Sequence, residues 1–426
     1  MATLKEKLAS QIPGLREERK KLLTESGDVV ISECTVKQAF GGMRGVKGMI
    51  CDTSVVEPDK GLIIREYPLA EVENRWPEEI FYLLCTGELP EKSDVEGLRK
   101  EFAERSEVPG YVLDVLRAMP KDSHPMAMLD TGILVMQRES EFYKSYQAGM
   151  HKTEYWAPIL EDSLRLLAVL PGIAAAVYRI RFNKGKLIPS DKNLDWGANY
   201  AHMLGIDDPD GRFAKLMRLY LTLHCDHEGG NVSANTCHTV GSALSDPFYA
   251  VSAGLNGLAG PLHGLANQEC LNFVLTIVDK YNGTPTKEQL TEFAWETLNS
   301  GKVIPGYGHA VLRVTDPRFA AFLKFGQENC GDDPVFKTVE LMFNTIPDVL
   351  KEHGKAANPW PNVDAGSGGL LYHFGMTEFS YYTVLFSVSR AMGMCSQLIV
   401  NRALGTAITR PKSVSMKWIK DFVGKA

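Results

Sequence analysis

The segment from Met376 to Ala403, MTEFSYYTVLFSVSRAMGMCSQLIVNRA, decides the fold class of this chain. Its length and composition predict a long helix, and apolar residues occupy all sides of that helix rather than one stripe. A helix of this kind is buried in a core or an interface. Arg390 near its middle argues against a membrane span, because a charged side chain in the centre of a bilayer is costly. We therefore expect a buried helix with other helices packed around it.

The pattern outside this segment is also mostly helical from Pro77 onward. Apolar residues recur at i, i+3 and i+4 in segment after segment, and Thr286 begins a capping box. The apolar stretch 155–182 contains Pro171, which predicts a break or a kink there. The fold class is therefore all-α and multi-helical.

The region 28–68 differs from the helical background. Val29–Ile31 and Gly61–Ile64 are short β-prone runs, and a glycine-rich turn lies between them. This pattern predicts a short N-terminal β-hairpin region.

The composition excludes several classes of function. A net charge of −6 and a pI near 6.0 leave no basic excess for nucleic acid. The eight cysteines are scattered, which is typical of a reduced intracellular protein. The first 25 residues contain several acidic side chains and no apolar core, so they predict neither a transit peptide nor a signal peptide. We expect a cytoplasmic protein, or else a matured form, with no membrane partner.

Glycine-rich loops interrupt the helical pattern at four places and carry polar side chains that packing does not require. These are 223–231, 258–264, 303–318 and 359–368. In the first loop, His224 and His227 lie near His238 in the sequence and raise the alternative of a zinc hydrolase. The spacing does not fit HExxH or a common structural zinc site, so no metal is expected.

The four loops together contain the groups needed to form a carbon–carbon bond. His263 follows Gly260-Pro261 at a predicted helix N-terminus, where the positive end of the helix dipole disfavours a second proton. A neutral imidazole that donates a hydrogen bond stabilises an enol or enolate. Asp364 is a candidate base for a carbon-bound proton, and His309 is a candidate to polarise a carbonyl. Carboxylates of an acceptor would be held by Arg318, Arg390 and Arg410.

Four motifs resemble the citrate synthase family, specifically its mitochondrial type. They are LTLHCDHEGGNVSA at 221–234, NGLAGPLHGLANQE at 256–269, PGYGHAVLR at 305–313 and NPWPNVD at 358–364. The resemblance extends from Lys5 to Ser413. It implies a helical fold with a large domain of residues 1–264 and 376–426 and a small domain of residues 265–375. It also implies a homodimer, acetyl-CoA and oxaloacetate as substrates, no cofactor, and closure of the small domain over oxaloacetate.

The resemblance also implies a role for individual residues. Asp364 would take a proton from the acetyl methyl group, His263 would stabilise the enol, and His309 would assist attack on oxaloacetate. Oxaloacetate or citrate would contact His227, Asn231, His309, Arg318, Arg390 and, from the partner subunit, Arg410. CoA would contact Arg44, Lys152, Val303, Ile304, Pro305, Gly306, Tyr307, Gly308 and Arg313.

Three positions depart from the family pattern. Lys152 and Ala357 stand where relatives carry arginine and lysine, which predicts weaker binding of CoA phosphates. Gly366 stands where relatives commonly carry histidine, next to the loop of Asp364.

Two alternative functions remain besides the zinc hydrolase. A 2-methylcitrate synthase would use the same groups with propionyl-CoA, and one methylene in an apolar pocket discriminates by only about 1–3 kcal/mol. A non-catalytic CoA-binding protein would need none of the three catalytic groups.

Overall fold

In the computed structural model, which describes residues 3–309 and 311–424, 64% of the chain is helical and 3% lies in strands. The predicted all-α class is therefore confirmed. The α-helices in chain order are α1 (Leu4–Ser26), α2 (Val36–Phe40), α3 (Leu69–Val72), α4 (Pro77–Thr86), α5 (Lys92–Arg105), α6 (Gly110–Ala118), α7 (Pro125–Val135), α8 (Glu141–Gln147), α9 (Trp156–Arg181), α10 (Trp196–Leu204), α11 (Arg212–Leu223), α12 (Val232–Ser242), α13 (Pro247–Leu258), α14 (Pro261–Gly264), α15 (Ala266–Tyr281), α16 (Lys287–Asn299), α17 (Pro317–Asn329), α18 (Pro334–His353), α19 (Asp364–His373), α20 (Tyr382–Leu404) and α21 (Met416–Val423). Short 3₁₀ turns lie at Met136–Glu139, Lys152–Glu154 and Phe379–Tyr381.

The two long helices α9 and α20 pack against each other in the centre of the core. Nearly every side chain of α20 is buried, as predicted, although the helix begins at Tyr382 rather than at Met376. The stretches Lys152–Arg181 and Phe379–Leu404 are long and apolar enough to span a membrane, but 83% and 89% of their most apolar windows are buried inside the protein. Burial of this kind is typical of core helices.

The sequence predicts a break or a kink at Pro171, and the break does not occur: α9 is one helix from Trp156 to Arg181. Proline has no N–H to donate to the carbonyl four residues earlier, which is that of Leu167. The indole Nε1 of Trp196 donates to this carbonyl at 2.8 Å. The first residue of α10 therefore supplies the hydrogen bond that the proline removes.

The strands of the described residues form one small antiparallel sheet. It comprises β1 (Ser54–Glu57), β2 (Gly61–Ile64) and β3 (Tyr67–Pro68), in the order β1-β2-β3. The predicted strand at Gly61–Ile64 is confirmed, and all four of its residues are buried. The predicted strand at Val29–Ile31 is wrong: its side chains are exposed and no strand pairs with it. β-Propensity alone does not form a strand without a buried face and a partner.

The helices α15, α16, α18 and α19 pack on one another, and α17 packs on α19. Gly368 allows α15 and α19 to approach closely, because a Cβ at that position would lie 2.6 Å from Oδ1 of Asn267 and 3.2 Å from the Cβ of Leu271. Asn267 also donates a hydrogen bond to Ser367 across the same contact. This packing holds the start of α19, and with it Asp364, beside the start of α15.

Candidate active site

The loop that carries His309 is fastened to the loop that precedes Asp364. The N–H of Gly308 donates to the carbonyl of Trp360 at 3.1 Å, and Nδ2 of Asn362 donates to the carbonyl of Gly308 at 3.0 Å. Residues that are about fifty positions apart in the sequence thereby form one surface.

Gly306 is required for this contact between the loops. Its φ of +78° is in the left-handed region, where a side chain is strained. A Cβ there would also lie 3.0 Å from the Cα of Ala365 and would collide with the sulfur of Cys270. The glycine therefore allows the loop to lie directly against the first turn of α19.

His309 is held as a neutral imidazole with a defined tautomer. Its Nδ1 accepts hydrogen bonds from the backbone N–H groups of Val311 at 3.0 Å and Leu312 at 2.9 Å. Burial and the charge of Arg318 lower the pKa of His309. The single ring proton is therefore on Nε2, which is free to donate to a substrate oxygen. The ring centroids of His309 and His227 are 6.0 Å apart.

Arg318 is buried and paired with the carboxylate of Asp316. Asp316 caps α17 by accepting from the backbone N–H of Arg318 at 2.9 Å. It also pairs with the guanidinium through Nε at 3.0 Å and Nη2 at 2.7 Å. Burial raises the pKa of Asp316, but Arg318 outweighs burial and the pKa is lowered. The pair fixes the plane of the guanidinium, which leaves Nη1 without a partner in the described residues.

Replacement of Asp316 with asparagine is expected to destabilise the protein by about 3 kcal/mol, because it leaves a buried guanidinium without its counter-charge. Asparagine keeps the size and one accepting oxygen, so the loss reports on charge. The stabilising carboxylate is present above its unfolded pKa and is lost as the pH falls through its lower folded pKa. Urea unfolding at pH 7 measures the difference, with Asp348→Asn on the exposed face of α18 as the control. Equal midpoints for the two variants would contradict this assignment.

Asp364 is the first residue of α19, and its N–H donates to Oδ1 of Asn362 at 3.0 Å. Burial raises the pKa of its carboxyl group to about 6, although Arg318 and Arg390 partly oppose the shift. No described residue donates a hydrogen bond to this carboxylate. It is therefore a stronger base than an ordinary aspartate and still largely ionised at neutral pH.

His263 lies on the short helix α14, and its Nε2 accepts from the backbone N–H of Ser233 at 3.3 Å. The hydroxyl of Ser233 lies 3.0 Å from the same nitrogen. Because a backbone N–H can only donate, Nε2 is the acceptor and the ring proton is on Nδ1, which can donate to an enol oxygen. The pKa of His263 is lowered to about 4 mainly by burial and secondly by Arg390. The prediction of a neutral ring is supported, but the helix dipole is not its principal cause.

Asn231 connects Arg390 with Ser233, the residue that contacts His263. Asn231 caps α12, and its Nδ2 donates to the carbonyl of His227 at 2.8 Å. Nη1 of Arg390 lies 3.4 Å from Oδ1 of Asn231, and its Nε donates to the carbonyl of His224 at 3.1 Å. The hydroxyl of Ser233 donates to the same Oδ1 at 2.8 Å. A continuous chain of contacts thus runs from the Ser233 partner of His263 to Arg390.

The CoA residues implied by the resemblance are less closely grouped. Val303 is 78% exposed, whereas Ile304 is buried. Arg313 is held by the carbonyls of Val311 and Leu312, each at 2.8 Å from its Nη1. Tyr307 forms a β-bridge with Pro361, and Pro305 is half-buried beside it.

Three of the predicted basic residues lie on the surface, away from these contacts. Arg44 is exposed on the turn after α2, and Arg410 is exposed beyond α20. Lys152 is exposed at the edge of a groove of about 630 Å³ that also contacts Arg16 and Arg402. The structure of one chain does not bring these three residues to His309.

Two histidines of the zinc alternative, His224 and His238, contact different parts of the protein. His224 is buried and stacks on Tyr220, with ring centroids 4.2 Å apart. His238 instead bonds to Asn401 on α20. Among residues 3–309 and 311–424, no group of three or more potential ligands is placed to hold a metal ion.

Neither Ser233 nor Asp316 is among the site residues predicted from the sequence. Ser233 follows the capping Asn231 by two residues, so the local sequence presents it as part of a helix start. Its contact with His263 spans thirty residues and exists only in the folded chain. The Asp316-Pro-Arg318 spacing, by contrast, was a readable signal for an ion pair.

The geometry defines an enzyme that condenses an enolisable donor with an acceptor bearing carboxylates. The reaction needs a base, donors to the developing oxyanions and cations for the carboxylates. The site supplies them as a carboxylate of raised pKa, two neutral imidazoles and two buried guanidinium groups. Comparison with known proteins identifies the family: residues 42–412 match the model of the citrate synthase C-terminal domain, and the chain belongs to the citrate synthase family. The enzyme is an acyltransferase, which condenses acetyl-CoA with oxaloacetate and hydrolyses citryl-CoA to citrate and CoA.

Individual relatives match over almost the whole chain. Mitochondrial citrate synthase 4 of Arabidopsis thaliana is 50% identical over 99% of this chain and 91% of its own length. Mitochondrial 2-methylcitrate synthase of Yarrowia lipolytica is 48% identical over 99% of this chain and 93% of its own length. The crystal structure of citrate synthase from Pyrobaculum aerophilum matches with a TM-score of 0.78 and 26% identity, over 88% of this chain and 92% of that one.

The prediction of a cytoplasmic protein is wrong, because these highly similar relatives are mitochondrial by name. The prediction relied on the acidic residues near the N-terminus. Those residues belong to the folded helix α1, which Thr3 and Glu6 cap reciprocally. Their charge therefore reflects the surface of a helix and carries no information about the compartment.

Proposed function

We propose that Asp364, His263 and His309 carry the chemical steps of citrate formation. The carboxylate of Asp364 takes a proton from the methyl group of acetyl-CoA while Nδ1–H of His263 donates to the thioester oxygen. The resulting enol attacks the carbonyl carbon of oxaloacetate, whose oxygen accepts from Nε2–H of His309. Water then cleaves the thioester of citryl-CoA. The observation that carries this proposal is the pair of hydrogen bonds that join the loop of His309 to the loop of Asp364.

Oxaloacetate would lie between the two buried guanidinium groups. The charge of Arg318 contributes to the lowered pKa of Arg390, and both guanidinium groups act to lower the pKa of Asp364, which supports a common cavity. Burial lowers the pKa of Arg390 to about 10, so a dianion would relieve the cost of two buried cations. His227 and Asn231 would add neutral hydrogen bonds at the same place.

The CoA moiety would follow the exposed edge of the loop from Val303 to Gly308. Its phosphates would meet Arg313 and the surface cations Arg44 and Lys152. The exposure of these side chains supports contact with a solvated polyanion. The thioester enters as a substrate, and the mechanism uses no further cofactor.

The helices α15–α19 would form a small domain of residues 265–375 that closes over oxaloacetate, with residues 1–264 and 376–426 as the large domain. Their mutual packing supports this division. His263 and Asp364 would then lie on opposite sides of the domain boundary, so closure would complete the acetyl-CoA site.

A homodimer would complete the oxaloacetate site with Arg410 from the partner subunit. Arg410 is exposed in the single chain, and no residue of α21, which follows it, is buried. Four large apolar side chains of α21 are each at least 50% exposed: Met416, Trp418, Phe422 and Val423. An amphipathic helix in this state requires a second surface, and a second copy of the chain provides one.

Release of free CoA thiol from acetyl-CoA, measured with and without oxaloacetate, tests the substrate assignment. We expect rapid release only when both substrates are present, because the enol forms in a site that oxaloacetate completes. Release that does not depend on oxaloacetate would indicate a hydrolase instead.

The similarity to a 2-methylcitrate synthase supports a second substrate, propionyl-CoA. Its extra methylene changes binding by only about 1–3 kcal/mol. Rates with both thioesters, measured side by side at saturating oxaloacetate, decide which acyl group this enzyme prefers.

Replacement of Ala357 with lysine is expected to lower the KM for acetyl-CoA about two- to fivefold, because it adds a cation beside the CoA loop. Ala357 is exposed and directly precedes Asn358. A Cβ at Gly308 would lie 3.6 Å from the carbonyl oxygen of Asn358, so position 357 is close to the CoA loop. The gain should disappear at high salt. Ala357→Gln, which adds length without charge, is the control, and an equal gain in both variants would contradict the phosphate contact.

A further inference from the structure

The segment that follows α20 is fastened to α12 immediately before Arg410. The backbone N–H of Thr409 donates to Oγ of Ser242 at 3.0 Å. The hydroxyl of Thr409 lies 3.1 Å from Nε2 of His238. Two groups on the last turns of α12 therefore hold both the backbone and the side chain of Thr409.

His238 is itself fixed in orientation. Nδ2 of Asn401, on α20, donates to its Nδ1 at 2.8 Å. Burial and the charge of Arg402 lower the pKa of His238, so the ring is neutral at pH 7. The one ring proton is consequently on Nε2 and is donated to Thr409.

Thr409 is the last point of attachment before Arg410. Upstream, the N–H of Thr406 donates to the carbonyl of Asn401 at 3.1 Å, and Nη2 of Arg402 donates to the carbonyl of Thr406 at 3.2 Å. Downstream, residues 410–414 form no hydrogen bond with the described part of the chain. The position of Thr409 therefore sets the point from which the Arg410 side chain extends.

The same helix α12 contributes to the active site of its own subunit at its other end. Asn231 caps it, and Ser233 in its first turn contacts His263. One rigid element thus connects the oxaloacetate and enol groups with the attachment of the C-terminal segment.

We infer that His238 is a positioning residue for citrate formation: through Thr409 it fixes the place from which Arg410 reaches the active site of a second copy of the chain. This inference rests on the proposed contribution of Arg410 to the partner's site. His238 itself contacts no substrate in this arrangement.

Single variants give the first test. His238→Ala and Thr409→Val both remove the hydrogen bond between His238 and Thr409, and His238→Ala also removes the one from Asn401. In both variants we expect the KM for oxaloacetate to rise about three- to tenfold while kcat changes less than twofold. His238→Gln, whose amide N–H reaches the position of Nε2, and Thr409→Ser, which keeps the hydroxyl, should restore the KM. Thr239→Ala changes an exposed neighbour on α12 and serves as the control. A general loss of kcat in step with thermal stability would show that His238 only supports the fold.

Mixed dimers with two different affinity tags give the decisive test. In the first, one chain carries both Asp364→Ala and His238→Ala, and its partner is wild type. In the second, Asp364→Ala is on one chain and His238→Ala is on the other. Each dimer has one working site, which belongs to the chain that keeps Asp364. In the first dimer, the Arg410 that reaches this site comes from the chain without His238. In the second dimer, it comes from a chain that keeps His238.

We expect a raised KM for oxaloacetate in the first dimer and a wild-type KM in the second. A raised KM only in the second, in both, or in neither would overturn the inference. The same two arrangements with Arg410→Ala in place of His238→Ala test the proposed function separately. If Arg410→Ala raises the KM only in the second arrangement, Arg410 acts within its own subunit, and the proposed contribution to the partner fails for that reason.

Discussion

Replacement of Asp364 with asparagine is expected to lower kcat about a thousandfold while oxaloacetate binding is nearly unchanged. Asparagine keeps the shape of the side chain and removes only its ability to accept a proton, and a general base contributes typically 10²- to 10⁴-fold. The buried guanidinium groups Arg318 and Arg390, which would hold oxaloacetate, are left in place. Steady-state kinetics combined with calorimetric titration of oxaloacetate separates the two effects.

The raised pKa of Asp364 predicts the pH dependence of this loss. The carboxylate is the active form, so wild-type activity should rise as the pH increases through about 6. The same shift has a consequence for stability. Because the folded state holds this proton more tightly than the unfolded state, the contribution of Asp364 becomes less favourable as the pH rises from about 4 to about 6.

Asparagine cannot titrate, so the variant should lose both dependences and be at least as stable as wild type at pH 7. Asp348→Asn, on the surface of α18, should leave rate and stability unchanged. A variant Asp364→Asn that folds normally and retains more than a tenth of the wild-type kcat would exclude Asp364 as the base.

The sequence permits the helical class and the chemical groups of the site to be predicted, because both are local properties. The all-round apolar character of the α20 segment predicts its burial, and the glycine-rich loops single out His263, His309 and Asp364. These signals need no knowledge of distant parts of the chain.

The remaining features depend on partners that are distant in the sequence. Inside α9, the carbonyl that Pro171 leaves without a donor accepts a hydrogen bond from the indole N–H of Trp196, twenty-five residues after the proline. The run Val29–Ile31 has β-propensity but finds no partner strand.

The electrostatics of the site follow the same rule. The neutral state of His263 could be predicted, but its main cause is burial, which the sequence does not show. The proposed role of Arg410 depends on a partner that the single chain does not contain, because the active site that it would reach belongs to a second subunit.

Replacement of His263 with alanine is expected to lower kcat about 10²- to 10³-fold, as loss of one donor to a developing oxyanion does. Its Nε2 is occupied by Ser233, so Nδ1–H is the group that is lost. His263→Asn, whose amide N–H reaches the position of Nδ1, should recover part of the rate, whereas His263→Gln should not. This difference between two amides tests the tautomer directly.

The step that fails in the variant can be isolated. Exchange of the methyl protons of acetyl-CoA in D₂O, with an unreactive dicarboxylate in place of oxaloacetate, reports enol formation without condensation. We expect exchange and kcat to fall together in His263→Ala, and His202→Ala, on the exposed face of α10, to leave both unchanged.

The lowered pKa of His263 also predicts that this residue causes no change of activity with pH above about pH 5, because the ring is already neutral there. Its contribution to stability should have the opposite sign to that of Asp364: the unfolded state binds the extra proton, so stability rises as the pH increases from about 4 to about 6.5. Undiminished exchange in a folded His263→Ala protein would assign enol stabilisation to another group.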